Sequence, residues 1–101
     1  MDLELKGKVA VITGGSVGIG LAVAEELASE GVHLALIARG GERAAERAAE
    51  IQAKYGVKAI GIGADVSRAE DVTRALAEIE AAFGGADILI SNAGTGTNET
   101  V

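Results

Sequence analysis

The sequence contains no cysteine and no proline, and its only aromatic residues are Tyr55 and Phe83. The absence of cysteine excludes a disulfide framework and a zinc site built on thiolates. The single histidine, His33, argues against a histidine metal site, and we expect it to be structural. With so few aromatic side chains, a core must be built from Ala, Val, Ile and Leu, which lets helices pack close to a sheet.

Charge and hydropathy exclude further classes of protein. The net charge is −6, and the nine Lys and Arg residues are spread along the chain, so nucleic-acid binding through phosphate neutralisation is not expected. No apolar run is long enough to span a bilayer, and the acidic start Met1-Asp2-Leu3-Glu4 does not resemble a signal peptide. We therefore expect a cytoplasmic protein that binds neither nucleic acid nor membrane.

Apolar runs and helical periodicity alternate along the chain. They predict strands over 8–13, 33–38, 58–64 and 87–91, and helices over 19–30 and 42–55. A third helix is predicted to begin at a Ser67-x-x-Glu70 capping box and to end at Gly84, with an inner stripe of Val72, Leu76, Ile79 and Phe83. This β-α-β-α-β-α-β order predicts an α/β fold with a parallel sheet and right-handed crossovers.

A glycine-rich turn joins the first strand to the first helix, over Thr13 to Gly20. Glycine lets the backbone adopt unusual angles and approach a bulky anion closely. The helix that follows offers free N–H groups and a partial positive charge, which suit a pyrophosphate. Because the turn lies between a buried strand and a helix, it indicates a phosphate site more strongly than an isolated glycine cluster would.

Polar or glycine-rich clusters follow the other three strands as well. They are Arg39-Gly40-Gly41, Asp65-Val66 and Asn92-Ala93-Gly94. In a parallel sheet the carboxyl ends of the strands meet at one edge, where ligands bind. Chain connectivity alone therefore brings these clusters and the glycine turn together.

Three of these elements resemble the cofactor-binding N-terminal half of the short-chain dehydrogenase/reductase family. They are Thr13-Gly14-x-x-x-Gly18-x-Gly20, Asp65-Val66 and Ser91-Asn92-Ala93-Gly94. Ser91 departs from the family's usual Asn-Asn-Ala-Gly. The resemblance covers nearly the whole chain and implies one dinucleotide-binding half-domain over 1–101. It also implies a Rossmann-type parallel sheet of strand order 3-2-1-4 with helices on both faces, half of a doubly wound fold.

The resemblance also implies which residues bind a dinucleotide. Those of the glycine turn would line the adenine ribose and pyrophosphate, Asp65 would meet the adenine amino edge with Val66 beside the ring, and the segment after strand four would pass along the ribose. The full implied set is Gly14, Ser16, Val17, Gly18, Ile19, Gly20, Arg39, Asp65, Val66, Asn92, Ala93 and Gly94. Three alternatives stay open: the glycines serve only close packing, Asp65 belongs to a helix cap, and Asn92 is a turn residue.

The residue after strand two bears on the choice of cofactor. An NAD site usually has a carboxylate roughly 20 residues past the glycines, bonded to the ribose hydroxyls. Ala38 and Arg39 occupy that place here. A guanidinium can bind the extra phosphate of NADP through charge-assisted hydrogen bonds, so NADP is predicted, with NAD as the alternative. The family's second basic position, inside the glycine turn, is Val17, and Arg39 has the alternative role of a solvated loop charge.

The family's catalytic Tyr-x-x-x-Lys motif, with its Ser and Asn, lies beyond the equivalent of residue 101. The one tyrosine here, in Tyr55-Gly56-Val57-Lys58, has a spacing one residue too short. The chain is therefore expected to hold no catalytic residue of its own. One hypothesis is the cofactor-binding part of a reductase that moves hydride between NADPH and a carbonyl or alcohol. The other is a non-catalytic, adenine-nucleotide-binding or self-associating half-domain. The apolar fourth strand at a sheet edge predicts a homo-oligomer.

Overall fold

A four-stranded parallel sheet forms the centre of the computed structural model, which describes residues 5–14 and 18–92. The strands are β1 Val9–Thr13, β2 His33–Ala38, β3 Ala59–Gly63 and β4 Ile88–Ser91, in the order β3-β2-β1-β4. The helices between them are α1 Gly18–Ser29, α2 Gly41–Tyr55 and α3 Ala69–Phe83. The predicted element order, parallel pairing and strand order 3-2-1-4 are confirmed.

The register of the sheet sorts the strand residues onto two faces. Val11 pairs with Ala35 of β2 on one side and with Leu89 of β4 on the other. On one face, Ile12, Leu34 and Leu36 are fully buried beneath α1 and α2, with Ala24, Ala28, Ala48 and Ile51. On the opposite face, Val11, Ala35, Ile37 and Ile62 pack with Ala75 and Ile79 of α3. Helices therefore cover both faces, as expected.

Small residues bring α2 unusually close to β3. A Cβ added at Gly61 would overlap the backbone of Ala44 and Ala45, and one at Gly63 would lie 2.9 Å from the Cα of Gly41. Such proximity is possible because these strand residues lack side chains on the face that meets α2.

The beginning of α3 differs from the prediction. The helix starts at Ala69 with Arg68 as its N-cap residue, which makes no side-chain cap bond. The Ser67–Glu70 capping box is therefore wrong. The Ser67 hydroxyl donates to Asp65 Oδ1 at 2.6 Å, and Glu70 pairs with Arg68 at 3.1 Å. Asp65 lies only two residues from Ser67 and competes successfully for its hydroxyl.

The predicted inner stripe of α3 is partly wrong as well. Ile79 is buried, but Leu76 is 60% exposed, while Val72 and Phe83 are only partly buried. The helix contacts the sheet through Ala75 and Ile79, on the side of β3. Leu76 lies outside this contact in the part of the chain that the structure describes.

His33 makes a structural contact at the start of β2. Its Nδ1 accepts the backbone N–H of Lys58 at 2.9 Å, and its ring stacks on Phe83 with centroids 6.4 Å apart. The Lys58 ammonium donates to the Ala82 carbonyl at 2.9 Å. Together these contacts join the starts of β2 and β3 to the end of α3.

Over the described ranges, the structure contains no helix that combines the length and the apolar character needed to cross a membrane.

Candidate functional site

Close packing at the end of β1 shapes the glycine turn. Gly14 has a φ of 74° and donates its N–H to the Ile37 carbonyl at 2.7 Å, which fixes the end of β1 against β2. α1 begins at Gly18, whose φ of 58° favours glycine. Gly20, two residues further on in the same first turn, is buried, and a Cβ there would overlap the Gly14 carbonyl. The N-terminus of α1 therefore lies directly against the end of β1, in the arrangement that suits an anion.

Asn92 lies beside this turn, at the end of β4. Its backbone N–H is 3.1 Å from both the carbonyl and the hydroxyl oxygen of Thr13, which is buried. Its side-chain Nδ2 would be 2.9 Å from a Cβ on Gly20. Asn92 thus connects β4, β1 and the N-terminus of α1, which fits a role in supporting the turn.

The ends of β2 and β3 bring Arg39 and Asp65 together. The Arg39 side chain is 81% exposed, and its Nε lies 3.9 Å from Asp65 Oδ1. Both residues line a shallow depression of about 240 Å³ with Gly63, Ala64 and Asp71. The pair is too exposed to contribute much to stability, so the guanidinium remains available to another anion.

The Asp65 carboxylate is held ionised by its own turn. Oδ1 accepts the Ser67 hydroxyl at 2.6 Å and the Ser67 backbone N–H at 3.0 Å. These bonds, with the Arg39 and Arg68 charges as smaller contributions, lower the pKa of Asp65 below its usual value. Because Arg68 is the N-cap residue of α3, Asp65 forms a turn before the helix and does not cap it.

The remaining predicted site residues fall into two groups. Ile19 and Val66 are exposed apolar side chains, on the first turn of α1 and just after β3 respectively. Exposed apolar groups beside polar strand ends are typical of a surface on which a ligand ring packs. Ser16, Val17, Ala93 and Gly94 lie outside the described residues.

Three charged residues that the motifs did not single out also form bonds at strand ends: Asp71 and Arg74 at the carboxyl edge of the sheet, and Asp87 at the opposite edge, where β1 and β4 begin. Asp87 accepts the Val9 N–H at 2.9 Å and donates its own N–H to the Val9 carbonyl, which joins β4 to β1. Asp71 accepts the Asp65 N–H at 2.8 Å, and Arg74 donates to the Gly63 carbonyl at 2.7 Å. The acidic first turn of α3 is the one sequence signal that could have indicated Asp71.

A parallel sheet of this order, with a glycine turn after its first strand, defines a Rossmann-type nucleotide-binding fold. The chain belongs to the short chain dehydrogenase family, whose model matches residues 8–101. This confirms the family resemblance drawn from the glycine turn and the two later motifs.

Individual relatives support the same assignment. The chain is 45% identical over 94 residues to a 3-oxoacyl-(acyl-carrier-protein) reductase of Aquifex aeolicus, covering 93% of this chain and 38% of the relative. A crystal structure of L-sorbose reductase from Gluconobacter frateurii, complexed with NADPH and L-sorbose, matches with a TM-score of 0.91 and 50% identity. That match covers 100% of this chain and 38% of the reductase. A structure of NAD⁺-bound xylitol dehydrogenase matches at 35% identity and a TM-score of 0.84, covering 90% of this chain and 35% of the dehydrogenase.

The chain therefore spans 38% of the length of the Aquifex and Gluconobacter proteins. The match begins with β1 and includes every strand described above.

Proposed function

We propose that this chain is the cofactor-binding half of an oxidoreductase that moves hydride between NADPH and a carbonyl or alcohol substrate. The observation that carries the proposal is the exposed guanidinium of Arg39 beside Asp65, at the same sheet edge as the glycine turn. Family membership supports the reaction class, and the L-sorbose reductase with bound NADPH supports the cofactor. When bound, the nicotinamide supplies or accepts the hydride.

The proposed dinucleotide site extends along the carboxyl edge of the sheet, within one half-domain over 1–101. The α1 N-terminus would face the pyrophosphate, Arg39 the 2′-phosphate, and Asp65 with Val66 the adenine. The complete proposed set is Gly14, Ser16, Val17, Gly18, Ile19, Gly20, Arg39, Asp65, Val66, Asn92, Ala93 and Gly94. These residues bind and orient the cofactor.

NADP is favoured over NAD because β2 ends without a carboxylate. Ala38 and Arg39 stand where an NAD site would present an acidic side chain to the ribose hydroxyls. Asp65 is the acidic residue that pairs with Arg39, and its Oδ1 already accepts two bonds from Ser67. At 3.9 Å the Arg39–Asp65 contact is longer than a hydrogen bond, so a phosphate can displace it at little cost.

Removal of the Arg39 guanidinium tests the cofactor preference. We expect Arg39→Ala to weaken NADPH binding by roughly tenfold or more, since a charge-assisted bond to phosphate is lost, and to leave NADH binding within about twofold. Fluorescence titration of both cofactors measures the two affinities. Arg47→Ala is the matched control, because Arg47 pairs with Glu50 on α2 at 2.9 Å and lies outside the proposed site. Tighter binding of NADH than of NADPH by the unsubstituted chain would contradict the proposal.

The chain by itself is proposed to bind cofactor without turning over substrate. Its one tyrosine, Tyr55, donates its hydroxyl to Glu25 Oε1 at 3.2 Å, between α2 and α1. That contact holds two helices together on one face of the sheet, and Tyr55, the last residue of α2, lies toward the start of β3 and away from the carboxyl ends of the strands. The proton donor and the substrate pocket would come from chain beyond residue 101. The cytoplasmic location stays a prediction of the sequence.

Self-association through β4 is the last part of the proposal. β4 is an outer strand of the described sheet, and its Leu89 side chain is 71% exposed. An outer strand with exposed apolar groups is a template for pairing with another chain. We expect sedimentation velocity to show a concentration-dependent oligomer that Leu89→Lys converts to monomer. Leu76→Lys, at an exposed leucine on α3, should leave the oligomer unchanged, and a monomeric unsubstituted chain would contradict self-association.

A further inference from the structure

Two side chains of α3 form hydrogen bonds with backbone groups at the end of β3, one on each side of Ala64 in the sequence. Arg74 Nη2 donates to the Gly63 carbonyl at 2.7 Å, and the Asp65 N–H donates to Asp71 Oδ2 at 2.8 Å. Ala64, between these two backbone groups, is buried. The short segment that carries Asp65 out of the sheet is thus fixed by the helix that follows it.

Asp71 and Arg74 also contact each other, and we call this pair the α3 clamp. Arg74 Nη2 lies 3.6 Å from Asp71 Oδ1, so one carboxylate uses one oxygen for the Asp65 N–H and the other for the guanidinium. Arg74 Nη1 extends away from the clamp to Glu78 Oε2, at 3.2 Å. Glu78 therefore contacts a different nitrogen of the guanidinium from the one that donates to the Gly63 carbonyl.

The clamp determines where the Asp65 carboxylate can lie. The Asp65 backbone N–H donates to Asp71, and Asp65 Oδ1 accepts from Ser67, so the residue is restrained both at its backbone and at its carboxylate. A carboxylate is an acceptor only, which suits the exocyclic amino group of adenine and repels the carbonyl oxygen of hypoxanthine at the same position. Such discrimination requires the acceptor to be held in place, because a mobile carboxylate can turn away from the wrong base.

We infer that Asp71, together with Arg74, positions Asp65 to select an adenine base over a 6-oxopurine. This inference rests on the proposed function, which assigns the adenine end of the cofactor to Asp65. Asp71 and Arg74 are positioning residues, since they act through the backbone on either side of Ala64. Asp71 also lies in the first turn of α3, where a negative charge stabilises a helix. That effect changes stability and leaves base selection unchanged, so base selection is the informative readout.

The experiment compares NADP⁺ with its hypoxanthine analogue, deamino-NADP⁺, on the 101-residue chain. We expect the unsubstituted chain to prefer NADP⁺ by about tenfold, the size of one hydrogen bond to a charged group. Asp71→Ala should reduce this preference to within about twofold, because the Asp65 N–H loses its acceptor. Asp71→Asn should restore it, since the amide oxygen can still accept that N–H. Glu78→Gln is the matched control and should keep the full preference, although it alters the same Arg74.

Arg74→Met provides a second test if Asp71→Ala does not fold. It keeps the aliphatic stem of a half-exposed residue while removing the guanidinium, which contacts Asp71 and donates to the Gly63 carbonyl. We expect an intermediate loss of base preference, with a shifted amide proton resonance of Asp65. An unchanged preference in a folded Asp71→Ala or Arg74→Met chain would overturn the inference and leave the proposed function intact. Equal binding of the two dinucleotides by the unsubstituted chain would also overturn the inference, and absence of NADP⁺ binding would overturn both.

Discussion

Replacement of Gly20 by valine is expected to abolish NADP⁺ binding by this chain. A Cβ at this position would overlap the Gly14 carbonyl and lie 2.9 Å from Asn92 Nδ2. The first of these atoms belongs to the backbone of the turn, so it cannot rotate aside as a flexible side chain can. The N-terminus of α1 would have to move away from the end of β1, and its free N–H groups would no longer face the pyrophosphate.

The expected loss in affinity is at least about a hundredfold, since two or more charge-assisted hydrogen bonds to phosphate would disappear. Calorimetric titration measures the affinity, and far-UV circular dichroism at low temperature verifies that the variant is folded. Ala22→Val is the control, because it places the same branched valine side chain at an exposed position on the same helix. A folded Gly20→Val chain that binds NADP⁺ within about threefold of the unsubstituted chain would exclude the α1 N-terminus as the phosphate site.

The sequence was sufficient to predict the sheet and the meeting of its strand ends. Continuous apolar runs such as Val9–Ile12 indicate buried parallel strands, and glycines such as Gly31 end helices in a left-handed conformation that few other residues adopt. These signals are local, since each depends on a few neighbouring residues. The placement of Arg39 near Asp65 then follows from topology, because consecutive parallel strands end at one edge.

The errors concern α3, where contacts that the sequence pattern does not include decide the outcome. Ser67 matches the capping pattern but donates to Asp65, a competing acceptor two residues earlier. Leu76 has helical spacing with Ile79, yet only part of the helix lies over β3. Periodicity identifies which apolar residues share one face of a helix, and it does not reveal how much of that face lies over the sheet.

The contacts of the α3 clamp could not be predicted for a related reason. Both acceptor and donor on the β3 side are backbone groups, the Gly63 carbonyl and the Asp65 N–H, which every residue possesses. A sequence pattern records side chains and therefore cannot distinguish a backbone group that is bonded from one that is free. The acidic first turn of α3 indicates a charge that favours the start of a helix. Only the fold reveals which backbone N–H donates to the Asp71 carboxylate.

Gly61→Val is expected to destabilise the fold more than any other single glycine substitution within a strand of the described sheet. Valine is a better strand former than glycine, so intrinsic propensity alone predicts a stabilising change. The structure predicts the opposite sign, because a Cβ at Gly61 would overlap the backbone of Ala44 and Ala45 in α2. Relief requires α2 to move off β3, which would open the packing around Ala48 and Ile51. Overpacking of this kind costs about 3 kcal/mol or more.

A cost of this size should lower the melting temperature by more than about 10 °C in a domain of this length. Gly40→Val is the matched control, since Gly40 has a φ of −84° and no atom within 4 Å of an added Cβ. Gly40 is the N-cap residue of α2, where valine is less favourable than glycine by about 1 kcal/mol, so the melting temperature of this control should fall by no more than about 8 °C. Equal melting temperatures for the two variants would mean that α2 does not approach β3 this closely. Because Arg39 lies only two residues before the start of α2, displacement of the helix should also weaken the preference of a folded Gly61→Val chain for NADPH over NADH. That second readout connects the packing of α2 to the selectivity of the site.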